Sequence, residues 1–89
     1  MKINENFVLK TVAGEAVVMP VGEAVNKVNG MIKLNPTAEV MWKTLEAETD
    51  FESAVAEVKA NCIGADEETI KEDLTVFIEK LRKLGILEE

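Results

Sequence analysis

The sequence changes its apolar period once, at Asn35-Pro36. Before that point apolar residues run in short β-branched stretches, and after it they recur at three- and four-residue spacing. A single switch of this kind describes a sheet contributed by the first third of the chain and helices contributed by the rest. A small sheet with one apolar face needs a covering layer, and amphipathic helices supply it.

The strands read as follows. Phe7-Val8-Leu9-Lys10-Thr11-Val12 is rich in β-branched and aromatic residues, and Ala13-Gly14-Glu15 supplies a turn. Ala16–Pro20 is the second strand, ended by a proline that donates no ladder hydrogen bond. A looser connection runs from Val21 to Asn29, and Asn29-Gly30 is a turn signal before a third short strand, Met31–Leu34. Period two sends Ile32 and Leu34 to one face and Met31 and Lys33 to the other.

Three helices follow. Asn35 caps the first, with Pro36 at the first helical position, where a missing N–H costs nothing. Ala38, Met41, Trp42 and Leu45 make its apolar stripe. Thr49-Asp50-Phe51-Glu52 has the spacing of a capping box and opens the second. Its stripe is Phe51, Ala54, Val55, Val58 and Cys62, with Gly64 at its stop. Asp66 caps the third, Glu67 and Glu68 suit the positive end of its dipole, and Lys80, Arg82 and Lys83 suit the other end. Ile70, Leu74, Phe77, Leu81 and Leu84 repeat on one side, Gly85 ends the helix, and Ile86 and Leu87 fold back as an apolar lock. The expected fold is α+β: a three-stranded antiparallel sheet followed by three helices, residues 1–89 forming one domain.

With 47% hydrophobic residues in 89, a core is within reach and disorder is disfavoured. Charge is uneven. Residues 1–35 hold four Lys and three Asp/Glu, a net of +1; residues 36–89 hold six Lys/Arg and fourteen Asp/Glu, a net of −8. Phosphate binding needs clustered cations, so a nucleic-acid surface on the C-terminal part is disfavoured. The N-terminus lacks a signal-peptide core and no stretch approaches the ~20 apolar residues of a membrane span. A soluble cytoplasmic protein is expected.

Reactive chemistry is sparse. Histidine and tyrosine are absent, and the single cysteine, Cys62, excludes an intramolecular disulfide and a Cys-cluster metal site. No phosphate-binding loop, nucleophile elbow or dinucleotide fingerprint is present. The only serine, Ser53, lies inside a helix rather than at the helix start that a carrier-protein arm needs. Neither catalysis, nor a metal, nor a cofactor is expected.

Two binding surfaces remain. An edge of so small a sheet exposes backbone groups that can accept another chain. The flank of the third helix formed by Lys71, Thr75, Ile78 and Arg82, bordering Leu74, sets an apolar residue between cations and can wall a groove for an apolar, partly acidic peptide. The alternative is that Ile78 only widens the core stripe.

The order Gly30-Met31-Ile32-Lys33-Leu34-Asn35-x-Thr37-Ala38-x-x-x-Trp42 resembles the signature of the PQQ-synthesis protein D family. Val18-Met19-Pro20-Val21-Gly22-Glu23-Ala24 and the closing Phe77-x-x-x-Leu81-x-x-x-Gly85-Ile86-Leu87 match that family's layout too. Pro36 stands where a charged residue is common, and Ala38 where glycine is frequent. The resemblance implies a winged-helix-like, non-catalytic domain that recognises ribosomally made, post-translationally modified peptides. It implies that a precursor's leader adds as a strand to Met31–Leu34, against the third helix. It also implies delivery to a modifying enzyme, often a radical S-adenosylmethionine protein with auxiliary iron–sulfur clusters. The expected site is then Met31, Ile32, Lys33, Leu34, Lys71, Leu74, Thr75, Ile78 and Arg82, with no nucleic acid or membrane partner. The molecule is expected as a monomer, or as a dimer if the open edge pairs with its own copy. The architecture also permits a winged-helix DNA-binding protein, against which its carboxylates weigh, or a structural partner domain of a larger enzyme.

Overall fold

The computed structural model describes residues 1–22, 32–62 and 64–88. The Asn29-Gly30 turn, Met31 and most of the preceding connection lie outside the described residues. Along the chain come β1 (Lys2–Ile3), β2 (Phe7–Val12), β3 (Glu15–Pro20), β4 (Ile32–Leu34), α1 (Pro36–Leu45), α2 (Phe51–Asn61), α3 (Glu67–Lys83) and β5 (Leu87–Glu88). The expected α+β arrangement of a three-stranded antiparallel sheet and three helices is what is seen.

β2 and β3 form a hairpin in which Val12 pairs with Glu15, leaving a two-residue loop. Both loop residues have positive φ, 52° at Ala13 and 81° at Gly14. That is the conformation whose twist matches the flanking strands. β4 pairs on the other side of β3, with Val18 opposite Ile32 and Ala16 opposite Leu34. Val18 enters the core and half-buried Ile32 and Leu34 pack against it. On the other face, Val17 is buried, in register between Lys10 and Lys33.

The helix starts follow from their caps. The Asn35 side chain accepts a 2.8 Å bond from the Ala38 N–H, and Asp66 accepts one of 2.9 Å from Thr69. For α2 the cap is Asp50 rather than Thr49: its carboxylate takes the Ser53 N–H at 2.8 Å. The Thr49–Glu52 box expected from spacing therefore does not form. A carboxylate one residue on reaches the same orphan donors and binds them as a charged acceptor. At the end of α3, Gly85 (φ 72°) makes a left-handed turn, with Ile86 N–H donating to Leu81 O at 2.9 Å and Gly85 N–H to Arg82 O at 3.1 Å. These two bonds complete a Schellman stop. Ile86 is fully buried and Leu87 nearly so, as expected of an apolar lock.

The core gathers Trp42 and Leu45 of α1, Ala54, Val55 and Val58 of α2, and Ile70, Leu74, Ile78 and Leu81 of α3. Leu84 departs from expectation: it is the C-cap of α3 and remains 39% exposed. An unforeseen element is the clasp of β1 with β5, which pairs Ile3 with Leu87 and brings the first and last described strands together.

Candidate functional site

β4 is the edge strand of its sheet, and no strand among the described residues pairs with its other side. In an antiparallel pairing alternate residues turn their N–H and C=O toward the neighbour, and the intervening ones turn theirs outward. A three-residue strand thus offers a short open rail. Its position is fixed in two ways. The ladder to β3 fixes the register, and the Asn35 cap with Pro36 starts α1 immediately after Leu34. Lys33 is exposed and meets Glu15 at 3.3 Å, a surface pair that holds little energy.

Two shallow hollows meet where β4 ends, and Asn35 lines both. One, of about 410 Å³, lies against Gly14, Glu15, Lys33, Leu34 and Glu39. The other, of about 380 Å³, runs between the start of α1 and the middle of α3. Its α1 wall is Thr37, Ala38 and Met41; its α3 wall is Asp73, Val76, Phe77 and Lys80. A further depression of about 460 Å³ continues over the outer surface of α3, sharing Val76 and Lys80. Val76 is 69% exposed, an unusual position for an aliphatic residue in mid-helix.

The structure distributes the sequence-predicted residues unevenly. Ile32, Lys33 and Leu34 lie together on the open strand, and Met31 lies outside the described residues. Leu74 is fully buried and Ile78 is 4% exposed, so neither offers a surface to a ligand. The expectation that Ile78 walls a groove is corrected: it widens the core stripe. The reason is angular. At 100° per residue the stripe of Ile70, Leu74 and Leu81 is bordered by Phe77 on one side and Ile78 on the other, and α3 buries the Ile78 border more deeply. Lys71 is half-buried, Thr75 bonds back to Lys71 O at 2.7 Å, and Arg82 meets Glu79 at 3.4 Å. These three share the Ile78 border, roughly opposite the direction of Asp73, Val76, Phe77 and Lys80. The hollow at the end of β4 opens on the latter. Sequence reasoning missed that wall, although Val76, an apolar residue off the stripe and beside Phe77, was its signal.

Among the described residues no group of three or more His, Cys, Asp or Glu could hold a metal. Among the described residues, the helix caps Asp50 and Asp66 have lowered carboxyls, each chiefly through a backbone N–H, from Ser53 and Thr69 respectively. Those shifts belong to helix stability. No helix is long and apolar enough to cross a membrane among the described residues.

Against known proteins, the family model for coenzyme PQQ synthesis protein D (PqqD) matches residues 15–87. No curated protein matches the chain. Among solved structures, TbiB1 in complex with the TbiA(beta) leader peptide is similar, with a TM-score of 0.75 and 24% identity. The alignment covers 99% of this chain and 95% of that one. At that identity the likeness is one of fold.

Proposed function

The chain belongs to the coenzyme PQQ synthesis protein D family, and from that premise we propose that it is a non-catalytic, single-domain peptide-recognition protein. In this reading it binds the leader segment of a ribosomally made precursor by strand addition to β4 and presents it to a modifying enzyme, a radical S-adenosylmethionine protein. The observation that carries the proposal is the open edge of β4 ending between two hollows. The similar fold of TbiB1, solved in complex with a leader peptide, supports it.

The energetics favour a mixed recognition. A rail of three residues offers two outward backbone bonds if Lys33 faces out, or four if Ile32 and Leu34 do, worth about 0.5–1.5 kcal/mol each net. Micromolar binding needs about 8 kcal/mol. Side-chain burial in the hollows must supply the larger share, at roughly 25 cal/mol per Å² of apolar surface. The backbone then sets the register, while pockets choose the sequence. Ile32, Lys33 and Leu34 are the contact residues of this reading. Lys71 and Arg82, on the far side of α3, act through their field on an approaching acidic segment rather than by touch.

The test is proline substitution on the rail. Ile32→Pro or Lys33→Pro, whichever turns its N–H outward, should keep the fold by circular dichroism and lose binding of peptides enriched from a displayed random dodecamer library. Unchanged calorimetric affinity in a folded proline variant whose replaced N–H turned outward would sink strand addition to β4.

A further inference from the structure

Resting on the reading of β4 as the peptide rail, we propose that Asp73 and Lys80 select the order of charges in the bound peptide. The favoured segment has an apolar anchor between one basic and one acidic residue. Both side chains line the hollow between α1 and α3, with Val76 and Phe77 between them along the helix and Ala38 and Met41 opposite. The centre of the hollow is therefore apolar and its two ends carry opposite charges.

Among the described residues neither end is neutralised. Asp73 and Lys80 are exposed, and neither forms an ion pair with a described residue. By contrast Lys33, Lys43 and Arg82 each have a carboxylate neighbour. On a chain of net charge −7, basic peptides are attracted without selection. Lys80 supplies a place in the hollow where an acidic residue is accepted, and Asp73 marks the end where it is refused.

The spacing suits an extended ligand. Seven residues of helix separate Asp73 from Lys80, a rise of about 10.5 Å. In a strand, positions i, i+2 and i+4 share a face and span about 13 Å. The lysine's flexible stem absorbs the difference. An apolar residue at i+2 then faces Val76 and Phe77, with charges of opposite sign at i and i+4.

The test is a pair of selections. Displayed random dodecamers are panned on the wild type and on the Asp73→Lys/Lys80→Glu double variant, both checked by circular dichroism. The wild type is expected to enrich peptides with an apolar residue flanked, two places to each side, by a basic and an acidic residue in one fixed order. The double variant is expected to enrich the reverse order and to bind wild-type peptides about tenfold more weakly. Enriched peptides without charge order, or with the same order on both proteins, overturn the proposal. Binding to the folded Ile32→Pro and Lys33→Pro variants separates it from the reading beneath it. Ordered charges with undiminished binding to both keep charge selection and remove strand addition. Lost binding without charge order does the reverse, and no enrichment on the wild type overturns both.

Discussion

At the scale of single residues, two positions with the same backbone sign make opposite predictions. Ala13 sits at φ 52°, where a side chain without a polar group gains nothing from the left-handed region. Ala13→Asn should stabilise the protein by about 0.5–1 kcal/mol, since Asn-Gly is the preferred pair for this loop. Gly85 sits at φ 72°, and a Cβ added there would meet nothing within 4 Å. Gly85→Ala should still cost about 1 kcal/mol, because the penalty is conformational rather than steric crowding. Thermal melts of both variants check the pair. Trp42 is a different case: fully buried, its Nε1–H has no acceptor among the described residues. The indole's apolar area in the core offsets that lost bond.

At the scale of elements, the helix caps tie stability to pH. The carboxyls of Asp50 and Asp66 are held below the usual aspartate value, first by backbone N–H bonds from Ser53 and Thr69. Depressed folded values mean that their contribution is fully present above the unfolded value, about pH 4, and is lost as pH falls through the folded one. Urea unfolding midpoints should therefore drop below pH 4, and an Asp50→Asn/Asp66→Asn variant should show a shallower drop. β2 was legible in the sequence to the residue, and so were the starts of α1 and α3, because composition, caps and period are local signals. The cap of α2 was misread by one position because Thr49 and Asp50 are both good caps, and only geometry ranks them. The hollow at the end of β4 opens on the Phe77 border of the α3 stripe, whereas the sequence points to the Ile78 border. Phe77 and Ile78 are adjacent, and sequence does not tell which border of the stripe will be covered.

At the scale of the whole molecule, the β1–β5 clasp was not legible at all. Two-residue strands carry no period, and their pairing joins residues more than eighty positions apart. Its strength comes from what it closes over: Ile86 is fully buried between the end of α3 and the strands. Ile86→Ala should cost about 2–5 kcal/mol, a large share of the total for a domain of this size. Chemical denaturation would register it as a lower midpoint at unchanged slope. α3 carries a consequence of another kind. Ile70, Leu74, Ile78 and Leu81 hold the core, while Asp73, Val76 and Lys80 stand outside it on a separate face. Mutations on the second face leave the first untouched, so a lineage carrying this fold is free to change what it reads without first repairing how it stands.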